Sequence, residues 1–246
     1  MPRTARDLTD PYVSTLTPPP PAGSGVCDVC HGAPGEGWPR CWSCHTTAGQ
    51  VSRPLELIVP ISLYEIPGQL HHVLRSYKDA PAAETRAELR VRVAALLLRL
   101  VAEHGDCIAR AAGAGWDRIA TVPSSREAGG LHPLEQAMEM AVSLRERHER
   151  LLRPGKGELA HLVANDRGFE VVRDVRGKRI LLVDDTFTTG ARMQSAASAL
   201  QLAGAHVVAG VVVGRVIRPD FSEETRRLWE AARAQTFRFD RCCLEG

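Results

Sequence analysis

Two adjacent carboxylates followed by a run of hydroxyl side chains form the most distinctive group in the sequence. Asp184 and Asp185 follow the apolar segment ILLV, and TFTTG comes directly after them at residues 186–190. In an open parallel sheet, ligands bind beyond the carboxyl ends of the strands. The start of a helix offers unpaired amides that favour phosphate. Carboxylates beside such amides suit ligand hydroxyls, bound directly or through a divalent cation, so the segment predicts a sugar-phosphate site.

Four cysteines in two CxxC pairs form a second group, and their spacing suits the binding of a metal ion. Cys27, Cys30, Cys41 and Cys44 lie in a short segment with few aliphatic residues. Each CxxC turn places two sulfurs on one face of a tetrahedral ion, and a segment without its own core needs such a staple. The spacing predicts a structural Zn²⁺ site, and iron with the same four ligands stays open.

Two histidines are alternative ligands for the same ion. His31 and His45 each directly follow the second cysteine of a pair. Four cysteines already complete a closed tetrahedral site. The predicted role of the ion is therefore architectural and not catalytic.

Alternating strand-like and helix-like segments follow the cysteines. The unit at residues 179–213 has the order strand, helix, strand, which is typical of a βαβ crossover. The fold class predicted is α/β, a parallel sheet flanked by helices with a small N-terminal zinc-binding module. Strands are predicted at residues 55–65, 118–122, 179–184 and 206–213, helices at 68–77, 82–104, 134–152 and 193–203, and a loop or weak hairpin at 153–168.

The chain divides into four parts by composition. Residues 1–25 carry four consecutive prolines and are predicted to form a flexible leader. Residues 26–50 form the metal module, residues 51–218 the main domain, and residues 219–246 a C-terminal helical tail. Cys107 is predicted to be a small buried residue, and the sequence assigns no role to Cys242 or Cys243.

Composition excludes several classes of function. The 246 residues carry a formal charge of +2, too balanced for a nucleic-acid binder driven by bulk charge. No apolar run approaches the ~20 residues of a membrane helix, and no apolar secretory segment follows Met1, so a cytoplasmic protein is expected. The sequence contains neither GxxxxGK[ST] nor GxGxxG, which disfavours an ATPase or a dinucleotide enzyme.

The segment VDDTFTTG, preceded by ILL, resembles the phosphoribosyl-pyrophosphate (PRPP) loop of type I phosphoribosyltransferases. The resemblance implies that the two aspartates approach the ribose 2′ and 3′ hydroxyls and that the following residues hold the 5′-phosphate. The alternative is a strand that ends in two aspartates, with threonine as an ordinary helix N-cap. The PRPP loop implied consists of Asp184, Asp185, Thr186, Phe187, Thr188, Thr189 and Gly190.

A four-cysteine module ahead of such a domain is similar to the ComF family, which is associated with natural competence. The resemblance spans about residues 27–217 and includes LYEIPGQLHHVLRSYKD at 63–79 and TVPSSRE at 121–127. TVPSSRE resembles the loop that binds pyrophosphate in phosphoribosyltransferases. The segment at residues 133–136, Pro-Leu-Glu-Gln, departs from the family's Arg-Gly-Phe-Asn-Gln pattern and keeps only its Gln, at Gln136.

The resemblance implies a reaction at C1 of PRPP. Mg²⁺ would accompany PRPP, and basic side chains would stabilise the leaving pyrophosphate. The implied catalytic residues are Asp184, Asp185, Arg126 and Lys78; the last two are equally compatible with solvated side chains. Arg145 and Arg147 in RERHER are predicted to lie on an exposed helix face.

Two further functions stay open beside phosphoribosyl transfer to or from an amine or nucleobase. One is a non-catalytic competence factor that handles single-stranded DNA, and the other is a regulator that senses PRPP. The implied partners are PRPP or a related ribose phosphate, and single-stranded DNA or competence proteins under the alternative. Formation of a homo-oligomer also stays open.

Overall fold

The computed structural model describes residues 3–124 and 131–245. Helices and strands alternate along most of this length. In chain order the elements are α1 (Ala5–Thr9), a 3₁₀ helix (Asp10–Thr15), α2 (Trp42–Ala48), β1 (Ile58–Tyr64), α3 (Gln69–Asp79), α4 (Ala83–Ala112), β2 (Arg118–Thr121), α5 (Pro133–Glu139), α6 (Val142–Arg145), β3 (Leu152–Pro154), β4 (Phe169–Val171), β5 (Arg179–Phe187), α7 (Ala191–Leu202), β6 (His206–Val216) and α8 (Glu223–Arg233).

A parallel sheet of four strands lies at the centre, in the order β1-β6-β5-β2. The two middle strands, β5 and β6, are apolar almost throughout and buried on both faces, as expected of a parallel sheet covered by helices. One face packs against α3, α4 and α5, and the other against α7 and the four-cysteine segment. This arrangement confirms the predicted fold class.

The long helix α4 ends later than the sequence suggests. The predicted end was Gly105, but α4 continues to Ala112. A Cβ at Gly105 would lie 3.4 Å from the Trp116 ring, so that ring packs against the helix at this position. The helix ends where Gly113 adopts a φ of +71°, a left-handed conformation that glycine adopts readily.

The helix predicted at residues 134–152 is wrong in its second half. The chain forms the two short helices α5 and α6 and then extends beside β2. The amide of Ile119 donates to the carbonyl of Arg147 at 2.8 Å, and Glu149 donates back to Ile119 at 2.9 Å. Pairing with the sheet edge therefore overrides the helical pattern, and Arg147 does not lie on an exposed helix face.

The described part of the leader, residues 3–25, makes defined contacts with the main domain. Thr4 caps α1 through a reciprocal hydrogen-bond pair with Asp7, and α1 packs on α4. Arg99 of α4 donates to the hydroxyl of Thr9 at 2.7 Å. Farther along, the amide of Leu63 donates to Thr17 at 2.9 Å, which attaches the leader to β1.

The remaining elements agree with the sequence pattern more closely. The weak hairpin predicted at residues 153–168 has its strands, β3 and β4, at the two ends of that segment. α8 buries Trp229, and Phe237 and Phe239 pack edge to face beyond it. Within residues 3–124 and 131–245, no helix is both long and apolar enough to span a bilayer.

Candidate functional site

The paired carboxylates lie inside the central strand rather than in a turn after it. β5 was predicted to end at Asp184, yet it pairs with β6 as far as Phe187 and Arg215. Asp184 lies opposite Val212, at the carboxyl end of the sheet. Since neighbouring residues of a strand face opposite sides, Asp184 and Asp185 have different surroundings.

Asp185 is directed towards α3. The Tyr77 hydroxyl donates to its Oδ2 atom, and the Lys78 ammonium forms an ion pair with the same oxygen. Asp185 is only 3% exposed, so its charge is balanced from α3 and not from solvent. Lys78, predicted from the resemblance, is thus placed at the acidic pair.

Asp184 lines a cavity of about 340 Å³ on the other side of β5. Its Oδ1 atom accepts the amide of Asp185 at 2.8 Å. The pKa of Asp184 is raised to about 7, first because burial disfavours the carboxylate and second because the charge of Asp185 lies next to it. A ligand that brings positive charge or hydroxyl donors would favour the ionised form.

We expect the protein to lose stability as the pH rises and Asp184 ionises. Aspartate in the unfolded chain titrates near 3.9, so between that value and about 7 the folded state holds a proton that the unfolded state has released. The free energy of unfolding then falls with pH, by on the order of 2 kcal/mol between about pH 5 and about pH 8. Urea unfolding of the wild type and Asp184→Asn measures this, and a difference that does not change with pH would contradict it.

The turn after β5 presents backbone amides to the same cavity. Gly190 has a φ of +81° and directly precedes α7, whose first turn has no side-chain cap. The first amides of a helix have no partner within it, and they carry the positive end of its dipole. The Thr188 side chain is exposed, whereas the hydroxyl of Thr189 is buried and accepts the amide of Leu162 at 3.5 Å. The turn is therefore suited to an anion.

Replacement of Gly190 by alanine should destabilise the turn. A left-handed φ costs a residue with a Cβ about 1–2 kcal/mol, and the new Cβ would lie 2.6 Å from the Phe187 ring. Thermal unfolding should show a larger loss than for Gly113→Ala, because Gly113 has a similar φ of +71° and no atom within 4 Å of its Cβ position. Equal losses would mean that the contact with Phe187 contributes nothing.

Arg192 lines the cavity and connects it to the segment after β2. The guanidinium of Arg192 donates to the carbonyl of Pro123 and lies 5.6 Å from the centre of the Phe169 ring. The amide of Val122 donates to Val183 at 2.9 Å. The Val-Pro segment singled out in the sequence thus lies beside the acidic pair, while Arg126 falls outside the described residues.

The four cysteines of the N-terminal segment come together in one buried cluster. Their four sulfur atoms lie within 4.8 Å of one another, and the Sγ atoms of Cys30 and Cys41 are 3.7 Å apart. That separation matches the edge of a tetrahedron with metal–sulfur bonds of about 2.3 Å. The cluster is compatible with a structural Zn²⁺ ion. It consists of Cys27, Cys30, Cys41 and Cys44.

Neither alternative histidine belongs to this cluster. The Nδ1 atom of His31 is 2.9 Å from the carbonyl of Pro20, so this ring contacts the leader. His45 packs edge to face with Trp38. Within the part of the chain that the structure describes, the cluster therefore consists of the four thiols alone.

Arg215 connects the cysteine cluster to the turn after β5. It is 8% exposed, and its Nε atom donates to the Sγ of Cys30 at 3.4 Å while one terminal nitrogen donates to the carbonyl of Thr188 at 3.3 Å. From α2, the hydroxyl of Thr47 lies 3.5 Å from the carbonyl of Thr189. The metal module thus contacts the turn through Arg215 and Thr47, although no cysteine lines the cavity.

Sequence reasoning missed three side chains of this site. Tyr77 lies in the predicted helix at 68–77 and in the matched segment at 63–79 but was given no role in the site, and neither Arg192 nor Arg215 was identified. A signal existed for Arg215, because it is a single charge in the apolar run VVVGRV. Among the residues predicted, the structure brings together Lys78, Asp184, Asp185 and the turn at 186–190.

Comparisons with known proteins find a modest likeness, and it lies among solved structures. No family model and no curated protein matches the sequence. Among solved structures, the chain is similar to a phosphoribosyltransferase from Corynebacterium diphtheriae, with 25% identity over 66% of this chain and 85% of that one, at a TM-score of 0.34. The assignment of the fold therefore rests on the sheet order and helix cover described above.

The fold and the candidate site together define the structural class of the protein. The protein is an α/β protein with a parallel sheet, a cavity at the carboxyl end of its central strand, and an N-terminal four-cysteine centre.

Proposed function

We propose that this protein binds PRPP together with Mg²⁺ and transfers its phosphoribosyl group to or from an amine or a nucleobase. One observation carries the proposal: Asp184 and the uncapped start of α7 line the same cavity, joined by the left-handed Gly190. One ligand in this cavity could therefore contact both groups, with its hydroxyls at the carboxylate and its phosphate at the backbone amides.

The chemistry of the groups around the cavity gives each of them a role in binding PRPP. The 5′-phosphate binds the amides of the turn and the first turn of α7, where the helix dipole favours an anion. The ribose hydroxyls donate to Asp184, the member of the acidic pair that lines the cavity. Lys78, held at Asp185, supplies a positive charge beside the reacting end of the ligand.

The cavity also fits the cation. The carboxylate of Asp184 lines it and offers hard oxygen ligands of the kind that Mg²⁺ prefers. Bound there with PRPP, Mg²⁺ would neutralise charge on the pyrophosphate.

In the reaction, the bond from C1 to the pyrophosphate oxygen breaks and a bond from C1 to the acceptor nitrogen forms. Pyrophosphate leaves with its electron pair, so cations near it lower the barrier. Lys78 serves this role, and the same role for Arg126 stays a prediction.

The proposal extends to a protein of the ComF type. The four-cysteine cluster and the PRPP-like turn occur in the order that this family shows, and Arg215 joins the two in space. This contact supports a single functional unit rather than two independent modules.

Isothermal titration calorimetry tests the proposal. PRPP with Mg²⁺ should give a binding heat that is lost with excess chelator, and ribose 5-phosphate should bind more weakly because it lacks the pyrophosphate. Release of pyrophosphate in the presence of ammonia or a nucleobase then tests transfer.

Three outcomes separate the alternatives. The absence of heat with PRPP would overturn the proposal, and salt-dependent retention of single-stranded DNA in the same preparation would favour the competence factor. PRPP binding without pyrophosphate release from any acceptor would favour a sensor.

A further inference from the structure

A second cluster of metal-ligating side chains lies far from the cavity. His104 and Cys107 belong to α4, and Cys242 and Glu245 belong to the segment after α8. One ligand atom from each residue lies within 4.8 Å of all the others. The fold therefore brings together a nitrogen, two sulfurs and a carboxylate oxygen from distant parts of the chain.

The spacing within each pair suits a shared ion. His104 and Cys107 are three residues apart on a helix, so their side chains lie on one face. Cys242 and Glu245 have the same spacing, and the amide of Glu245 donates to the carbonyl of Cys242 at 3.1 Å, which closes a turn. Each pair offers two ligands from one side, as a CxxC turn does.

The distances within the cluster approach those of a tetrahedral site. The Sγ of Cys107 lies 3.8 Å from Nδ1 of His104 and 3.0 Å from Oε1 of Glu245. The same Oε1 lies 3.9 Å from Nδ1 of His104. Ligands bound to Zn²⁺ at about 2.0–2.3 Å are separated by roughly 3.3–3.8 Å. A small adjustment of side chains would place all of them on one ion.

His104 is already oriented as a metal ligand. Its ring is 3% exposed, and its Nε2 atom donates to the carbonyl of Phe239. That bond leaves the lone pair on Nδ1, the nitrogen that faces the cluster. Ligating histidines commonly donate their other nitrogen to a backbone carbonyl in this way.

The segment that carries Cys242 and Glu245 is attached by side chains and not by regular secondary structure. Beyond α8 the described chain to residue 245 forms turns and no helix or strand. Phe239 packs beneath Arg99 of α4, and Cys243 is buried in the core. Because Cys243 faces the core, its neighbour Cys242 is free to face His104. A bound ion would fasten this segment to α4.

We propose that His104, Cys107, Cys242 and Glu245 form a second, structural site for a tetrahedral divalent metal ion, with Zn²⁺ as the best match. Mixed nitrogen, sulfur and oxygen ligands suit this borderline-soft ion, whereas Mg²⁺ and Ca²⁺ prefer oxygen alone. Binding displaces the two thiol protons to solvent and involves no redox step.

Metal stoichiometry tests the site. The full chain, expressed with zinc, freed of its purification tag and dialysed against metal-free reducing buffer, should hold two Zn²⁺ per chain by elemental analysis, one for each cluster. The double variant Cys107→Ser/Cys242→Ser should hold one. Cys243→Ala is the matched control, because it removes a neighbouring thiol outside the cluster, and it should keep both ions.

Cobalt substitution shows whether the variant is folded. Fewer thiolate ligands move the visible bands of tetrahedral Co²⁺ to shorter wavelength, so the two clusters give separable spectra. The double variant should lose only the shorter-wavelength set, and the remaining four-sulfur bands report an intact N-terminal module. One Zn²⁺ in the wild type, with no change in the double variant, would overturn the proposal. A Cys107–Cys242 disulfide in freshly isolated protein would do so as well.

Discussion

Replacing Asp184 and Asp185 together by asparagine should lower the affinity for PRPP with Mg²⁺ by roughly 100-fold or more. Hydrogen bonds to charged groups contribute about 1.5–3 kcal/mol each, and each 1.4 kcal/mol corresponds to about a tenfold change in affinity. Asparagine is also neutral, so the substitutions remove the negative charge that attracts the cation. Calorimetry with the double variant measures the loss.

The same substitutions separate binding from folding. Asp184→Asn removes a buried like-charge neighbour of Asp185 and should leave the unliganded protein at least as stable as the wild type near neutral pH. Asp185→Asn keeps an oxygen that can accept the Tyr77 hydroxyl but loses the ion pair with Lys78. A binding loss without unfolding would mark the pair as functional rather than structural.

A carboxylate outside the cavity provides the matched control. Asp174 is exposed and pairs only locally with Arg176, so Asp174→Asn should bind PRPP like the wild type. Unchanged heat in Asp184→Asn/Asp185→Asn would remove the basis of the proposed function.

Loss of the N-terminal metal site should have the largest effect on stability. Cys41→Ser removes one of four thiol ligands that surround a buried centre. Because a structural ion contributes to folding directly, we expect a cost on the order of 4 kcal/mol, at the high end for a single substitution. Thermal unfolding with zinc present, compared with unfolding after chelation, measures it.

The effect should extend to the ligand cavity. Arg215 binds Cys30 and the carbonyl of Thr188, and Thr47 approaches the carbonyl of Thr189. Without the ion these supports of the turn weaken, so PRPP affinity should fall in Cys41→Ser even though no cysteine lines the cavity. Cys243→Ala, which leaves the module untouched, is the control. Full PRPP affinity in a metal-free Cys41→Ser protein would show that the turn does not depend on the module.

The sequence predicted the chemistry of the site where the residues of the site are neighbours in the chain. The apolar run before Asp184 and the turn residues after Asp185 indicate a strand end and a helix start, and the CxxC spacing indicates an ion. Both are local patterns, because a turn or a ligand pair is formed within a few residues. The predicted α/β class follows from the same local alternation.

The ends of the helices were predicted less well from the sequence. The pattern at residues 134–152 is helical, but pairing of Arg147 and Glu149 with Ile119 forms instead. Gly105 resembles a stop and proves to be a packing position against Trp116. In both cases a contact from elsewhere in the fold outweighs a local preference of a few tenths of a kcal/mol to about 1 kcal/mol.

The sequence by itself therefore determined the acidic strand end, the four-cysteine centre and the α/β class. Only the tertiary structure decided that Asp185 faces Lys78 while Asp184 faces the cavity, and that Arg215 joins the metal module to the turn. It also brought Cys107 to Glu245 across 138 residues. Such pairings depend on which elements the sheet order and helix packing place side by side, and spacing along the chain does not encode them.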